Sequence, residues 1–274
     1  MRTRIGLMAI LIAGLAFTEV MAQGSAENSG SRPAPQGTQL DLAKAFHTHS
    51  AWRLVVTEGP PTKDYGEGEA PGALTLCLRK GPGGPCVSAP VSPPLRAPTP
   101  NYALAWEPHY LLAAKVVYPH GPKARPLLLI VTGSLNSGDG DQIVATQLVA
   151  YDTDQDVFRR VYANRTGHNN NQETRFVTEG PLRGSVISAE PQEHLPYGYW
   201  IEVNSSTPAG PYRRVLRYRS ATLYNDGNPL AVIDSEMPNI ESRLGLWKAG
   251  QPIPTPNGKP CPKPTLRHTE LWCG

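Results

Sequence analysis

The residues best suited to chemistry in this chain form a polar run between two predicted strands. They are His168, Asn169, Asn170, Asn171, Gln172 and Glu173. An amide side chain both donates and accepts hydrogen bonds, so such a loop can recognise a sugar or a peptide backbone. Asn also tolerates the left-handed conformations of tight connections, so the same run is typical of a plain loop. We keep both interpretations and take His168, Asn169, Asn170, Asn171 and Glu173 as candidate binding residues.

A second candidate is the basic, aromatic strand predicted over residues 212–219. Strict alternation places one set of side chains on each face: Arg213, Val215, Arg217 and Arg219 on the first, and Tyr212, Arg214, Leu216 and Tyr218 on the second. Arg and Tyr are enriched at protein interfaces, and a row of Arg suits a polyanionic or glycan surface. An edge strand whose charges oppose aggregation is the alternative. Tyr212, Arg213, Arg217 and Arg219 are the candidate binding residues here.

The candidate metal site is an aspartate-rich turn. Asp152, Asp154 and Asp156 alternate as in an oxygen-rich calcium loop. The EF-hand pattern then needs Gly at its sixth position and Glu at its twelfth, where this chain has Val157 and Ala163. A solvated hairpin turn explains the same residues. We therefore predict no cofactor and retain calcium as the weaker alternative.

Hydrolytic chemistry is the main alternative to binding. Glu190, Glu193 and His194 follow one predicted strand, and His168 and Glu173 follow another. Glycoside hydrolysis needs two carboxyl groups about 5–9 Å apart, which sequence spacing cannot place. The chain contains neither Gly-x-Ser-x-Gly nor His-Glu-x-x-His. An enzyme is therefore the second hypothesis.

The N-terminus carries a targeting pattern. Arg2 and Arg4 precede an apolar run over 5–17, and Val20 and Ala22 then fit the pattern of a cleavage site. This order is typical of a secretory signal peptide, and the run is shorter than the roughly 20 residues of a membrane-spanning helix. We predict cleavage near Ala22, a periplasmic or secreted protein, and no membrane span in the mature chain.

The rest of the chain is expected to hold a flexible polar leader over 23–39 and one β-rich domain over 40–274. Its last part, 250–274, is a Pro-rich tail. Cysteines occur as two close pairs, Cys77 with Cys86 and Cys261 with Cys273. Export and short spacing favour two local disulfides, although four cysteines formally permit three pairings.

Composition sets the fold class. The 274 residues include 29 Pro and 26 Gly, and Pro costs about 3 kcal/mol inside a helix, which excludes a long-helix protein. A hydrophobic share of 39% and a net charge of +3 exclude full disorder and a dedicated nucleic-acid binder. No Pro occurs over 127–180, so the central strands are expected there. We predict short helices over 40–48 and 234–245, and a mainly β fold, an antiparallel β-sandwich or open barrel.

One short motif occurs twice, each time at the start of a predicted strand: Phe158-Arg159-Arg160-Val161 and Tyr212-Arg213-Arg214-Val215. Two copies are too few to predict a repeat architecture. Segment 125–165 is similar to hairpins of exported β proteins, among them lysozyme-inhibitor-like sandwiches and integrin-type calcium repeats. It contains no diagnostic motif, and no functional residue is transferred from it.

These patterns favour an exported binding or inhibitor-type protein without catalytic activity. Its partner would be an envelope or extracellular protein or a glycan, and not a nucleic acid. A secreted hydrolase using carboxylate and His chemistry, or a structural envelope protein, is the alternative.

Overall fold

Three four-stranded antiparallel sheets form most of the protein. The computed structural model describes residues 37, 39–63, 68–92, 107–121, 124–137, 141–167, 172–192, 194–206 and 210–274. These residues belong to one unit, Ser31–Gly274. The predicted signal peptide, most of the predicted leader and residues 168–171 lie outside the described residues.

The first part of the chain contributes β1 Gln39–Asp41, α1 Ala43–Phe46, β2 Trp52–Glu58, β3 Thr62–Lys63, β4 Glu69–Ala70, β5 Leu74–Lys80 and β6 Cys86–Val87. The middle contributes β7 Tyr110–Val117, β8 Leu127–Gly133, β9 Ile143–Asp152 and β10 Val157–Gly167. The last part contributes β11 Glu173–Phe176, β12 Val186–Pro191, β13 Gly198–Ser206, β14 Tyr212–Leu223, α2 Val232–Arg243, β15 Pro264–Arg267 and β16 Glu270–Cys273.

The first sheet has the strand order β1-β2-β5-β6, whereas the second (β7 to β10) and third (β11 to β14) are simple meanders. Two small hairpins, β3-β4 and β15-β16, complete the described strands. The predicted fold class, mainly β with antiparallel sheets, two short helices and two disulfides, is confirmed.

β8 and β9, the central strands of the second sheet, are largely buried on both faces, as the Pro-free run predicts. Leu128 and Ile130 of β8 pack with the first sheet. Leu127 and Leu129, on the other face of β8, pack with Val186 of the third sheet. The opposite face of the third sheet packs against α2 through a separate apolar cluster. The protein is therefore layered as three sheets followed by a helix.

The two copies of the short motif occupy equivalent places. They lie in β10 and β14, each the last strand of a meander. In both copies the final Val has no paired residue on the neighbouring strand, because the register shifts there. Val161 lies at the shift between Arg160 and Tyr162, and Val215 at the shift between Arg214 and Leu216. Such a β-bulge adds one residue to one strand and reverses which face the following side chains occupy.

The two helix predictions differ in accuracy. The predicted helix over 234–245 is observed as α2, and Gly245 follows its end with φ of 71°. The helix predicted over 40–48 is wrong at its start, because Leu40 pairs with Leu54 in β1-β2 and the helix covers only Ala43–Phe46. Among the described residues, no helix is both long and apolar enough to cross a membrane.

Both predicted disulfides are present, Cys77–Cys86 between β5 and β6 and Cys261–Cys273 in the C-terminal tail. The second one closes the hairpin β15-β16, which packs on α2 through the buried side chain of Leu271. Asn228 Nδ2 donates hydrogen bonds to Glu270 Oε1 (2.7 Å) and to the carbonyl of Leu271 (3.0 Å). The Pro-rich tail is therefore fastened to the rest of the fold.

Candidate binding face on the third sheet

The bulge at Val215 decides which side chains of β14 share a face. Arg214 Nη1 and Arg217 Nε both bind Glu202 Oε1 at 3.0 Å, so these two arginines lie on the same side. Strict alternation had placed them on opposite sides, and it is wrong here because Val215 is an extra residue in the strand. Tyr212 and Arg214 therefore join Arg217 and Arg219, and Arg213 is left on the other face.

Trp200 lies on this face, near the beginning of β13. It is on β13, paired with Arg219. The guanidinium carbon of Arg217 is 4.4 Å from the centroid of the indole ring, and that of Arg219 is 5.2 Å away. Both distances are within the range of a cation–π interaction. The ring therefore holds two positive charges side by side at the surface.

The two guanidinium groups differ in what else they bind. Arg217 is ion-paired with Glu202. For Arg219, no carboxylate of the described residues lies within ion-pair distance. Arg219 is exposed, so its positive charge and its hydrogen-bond donors lie at the surface. A planar guanidinium matches a carboxylate in a bidentate geometry.

Two carboxyl groups lie on the same face in different environments. Glu190 on β12 is paired with Trp200, and Glu202 lies two residues further along β13. Burial raises the pKa of Glu190, the charge of Glu202 adds to that rise, and a hydrogen bond from Asn164 Nδ2 (3.2 Å) opposes it. Glu202, in contrast, is bound by two arginines.

Aromatic side chains close one end of the face against β10. The rings of Tyr162 and Tyr212 are 5.7 Å apart, and the hydroxyl of Tyr212 donates to the carbonyl of Gly184 at 2.6 Å. Burial raises the pKa of both tyrosines, so they remain protonated at neutral pH. Tyr212 is therefore a wall of the face and not a freely exposed contact.

The other end of the face carries exposed apolar side chains in the connection between β12 and β13. Leu195 is 77% exposed and Tyr197 51% exposed. Leu223 and Tyr224, at the end of β14, are also exposed, and the amide of Tyr224 donates to the carbonyl of Tyr197 at 2.7 Å. Adjacent exposed apolar groups of this size are typical of interaction sites. We call Leu195, Tyr197, Leu223 and Tyr224 the apolar tip.

Sequence reasoning missed Trp200, Glu202 and the apolar tip. No local pattern singles out Trp200, because its two arginine neighbours come from a different strand. The run Leu-Pro-Tyr-Gly-Tyr-Trp over 195–200 did carry a signal, because three aromatic residues around a turn exceed what a plain connection needs.

Glu173 belongs to a different place. Its Oε1 accepts the amide of Ile233 (3.0 Å) at the start of α2, and its Oε2 binds Arg175 Nη2 (2.9 Å). Arg175 also binds the buried carboxylate of Asp234. Glu173 thus lies on the helix side of the third sheet, away from Trp200. The other residues of the predicted polar loop, His168, Asn169, Asn170 and Asn171, lie outside the described residues.

The three aspartates of the candidate calcium loop do not converge. Asp152 accepts the amides of Asp154 and Gln155 and binds Arg159, whereas Asp156 turns toward the first sheet and binds Lys80 at 2.6 Å. In the described part of the chain, no three His, Cys, Asp or Glu side chains are grouped to hold a metal ion.

A wider cleft of about 980 Å³ lies beside α1, with Lys44, His47 and Arg125 in its walls. His49, by contrast, places its Nε2 3.1 Å from the carbonyl of Thr153. His47 and His49 are only two residues apart in the sequence, but only His47 lines the cleft.

Comparisons of this chain with protein families, with curated proteins and with solved structures find no match. Its function is therefore inferred from its own residues.

Proposed function

We propose that this is an exported, non-enzymatic binding protein that recognises a protein partner through the third sheet. The contact surface consists of the apolar tip and the arginines held by Trp200. The observation that carries the proposal is the position of Leu195, 77% exposed, at the same end of the sheet as the Trp200–Arg219 pair. The targeting pattern at the N-terminus and the two disulfides support export.

A protein partner fits this surface better than a sugar does. A sugar-binding aromatic ring offers an open face, whereas two guanidinium groups lie over the ring of Trp200. Exposed Leu and Tyr are apolar anchors of the kind that fill pockets on a partner, and Arg and Trp are enriched among the residues that dominate binding energy. The partner is therefore expected to present an apolar socket beside an acidic rim.

The test is cross-linking of the tagged full chain in its native envelope, followed by mass spectrometry and affinity measurement with the captured partner. Leu195→Ser and Arg219→Ala should each weaken binding by at least about tenfold. The hairpin β15-β16 offers a matched control, since Leu266 is 39% exposed and Arg267 lies 4.6 Å from the ring of Trp272. Leu266→Ser and Arg267→Ala should leave binding unchanged. Equal binding by all four variants contradicts the proposal.

A secreted glycoside hydrolase is the second candidate, favoured by the pair Glu190 and Glu202. Glu190 is half-buried with a raised pKa, and Glu202 is ion-paired, which is the division of roles that an acid and an ionised carboxylate require. Turnover of a glycan substrate that is lost in both Glu190→Gln and Glu202→Gln, with Glu173→Gln still active, would establish it. Wild-type turnover in the first two variants excludes this pair.

A further inference from the structure

A small cavity of about 180 Å³ lies on the helix side of the third sheet, opposite the binding face. Its walls come from the segment 175–182, from α2 and from residues 255–257 of the C-terminal tail. Val177, Leu182 and Ile233 belong to the buried apolar cluster under α2, and Met237 packs against the same cluster. One wall of the cavity is therefore apolar, and it is formed by the segment 175–182 and by α2.

Glu241 is one of the polar residues of the cavity walls, together with Arg175 and Asp234. It follows Asp234 by seven residues, two turns of α2, so both carboxylates project from one side of the helix. Glu241 is only 7% exposed, and it lines the cavity. Its carboxylate receives no hydrogen bond or ion pair from any side chain of the described residues. Burial raises the pKa of Glu241.

The positive groups near this cavity are already engaged. Arg175 binds Glu173 and Asp234, and Lys259 Nζ binds Asp234 Oδ2 at 3.1 Å. Arg243, in the last turn of α2, has its guanidinium 4.3 Å from the ring of Tyr218. The remaining charged residue in the walls is Glu179, which is exposed. The carboxylate of Glu241 therefore has no counter-ion among the described residues.

The dipole of α2 also favours a cation beside Glu241. Glu241 lies in the last turn of α2, where the carbonyl ends of the helix carry partial negative charge. A carboxylate at that end is destabilised, and a cation is stabilised. A positively charged ligand would therefore gain from both Glu241 and the helix end, whereas an anion would be repelled by both.

Size limits the ligand further. A cavity of about 150 Å³ lined by apolar side chains holds one benzene molecule, and this cavity is of similar volume. We propose that the cavity binds a small organic ammonium ion whose apolar body is about the size of a benzene ring, with Glu241 as its counter-ion. The apolar wall takes the body, and the carboxylate of Glu241 accepts hydrogen bonds from the ammonium group.

The test uses the full chain labelled with methyl-¹³C methionine and titrated with benzylammonium. The chain has four methionines, Met1, Met8, Met21 and Met237, and the last of them lines the cavity. Met237→Leu assigns its signal. Benzylammonium should shift the Met237 methyl signal saturably, with a Kd of about 1 mM or below. Benzyl alcohol, which has the same body without the charge, should bind at least about tenfold more weakly.

Two variants separate a specific role of Glu241 from general effects. Glu241→Gln keeps the size of the side chain and should weaken benzylammonium binding by about tenfold to a hundredfold. Glu179→Gln removes an exposed carboxylate at the same cavity and should change the affinity by less than about threefold. Circular dichroism checks that both variants are folded.

Three results would each overturn the proposal: no shift at Met237, equal binding of the alcohol and the ammonium ion, or full affinity in Glu241→Gln. Since the apolar tip and Trp200 take no part in this cavity, the result is independent of the partner-binding test.

Discussion

Asp156, in the turn between β9 and β10, has φ of 49° and points its carboxylate toward the first sheet. Its two oxygens accept hydrogen bonds from four side chains: Ser50 Oγ (2.8 Å), Trp52 Nε1 (2.8 Å), Tyr151 OH (2.6 Å) and Lys80 Nζ (2.6 Å). Burial acts to raise the pKa of Asp156, but these hydrogen bonds outweigh it and hold the pKa well below its usual range. The carboxylate therefore fastens the second sheet to the first.

We predict that Asp156→Asn lowers the free energy of unfolding at pH 7 by about 1–2 kcal/mol, a modest value because the side chain is partly solvated. The contribution of a carboxylate with a lowered pKa is complete above its unfolded pKa of about 4 and is lost as the pH falls through the folded value. Urea unfolding between pH 7 and pH 2 measures this. The variant should lose less stability on acidification than the wild type, and parallel pH curves would contradict the assignment.

At the scale of elements, α2 begins without help from its own flanking residue. Ala231 precedes the helix and makes no side-chain cap. The amide of Ile233, one of the unsatisfied donors of the first turn, is instead bound by Glu173 from β11. A carboxylate at this end also interacts favourably with the helix dipole. Glu173 therefore joins the third sheet to the helix that covers it.

Glu173→Ala is expected to destabilise the protein by about 0.5–2 kcal/mol, the range for loss of a helix N-cap. It also removes one partner of Arg175. Thermal unfolding measures the loss, and Glu179→Ala, an exposed carboxylate on the same side of the sheet, is the control. Partner binding through the apolar tip should be unchanged in both variants. Unaltered stability in Glu173→Ala would show that the cap is not needed.

At the scale of the whole molecule, each layer supports the next. Leu148 packs between the second and third sheets and Ile187 between the third sheet and α2, and both are fully buried. The second sheet packs against the first sheet on one face and against the third sheet on the other. Weakening either interface should therefore destabilise the same cooperative unit.

Leu148→Ala and Ile187→Ala should each lower the free energy of unfolding by about 2.5–5 kcal/mol through the cavity they leave. Tryptophan fluorescence and circular dichroism should report one coincident denaturant transition in each variant, shifted to lower denaturant. Thr265→Ala, at an exposed position of β15, should leave the midpoint unchanged. Separate transitions by the two probes would indicate that the layers unfold independently.

Much of the architecture could be predicted from the sequence because it depends on local patterns. The Pro-free stretch over 127–180 identifies the central strands β8, β9 and β10, because Pro cannot donate to a sheet. Short spacing identifies the two disulfides, because nearby cysteines on a turn meet readily. Leu40, Leu42 and Phe46 have helical spacing, which predicts a helix that begins at Leu40. Leu40 instead belongs to β1, because its pairing with β2 outweighs the local pattern.

The candidate sites depended on contacts between residues distant in the chain, and only the tertiary structure decides those. The bulge at Val215 reversed the faces of β14, and a bulge is set by the partner strand and has no local signal here. Glu173 and Glu190 look alike in the sequence, yet one caps α2 and the other lies beside Trp200. The sequence by itself indicates the central strands and favours the two local disulfides, whereas the environment of each polar side chain is determined by the elements that pack around it.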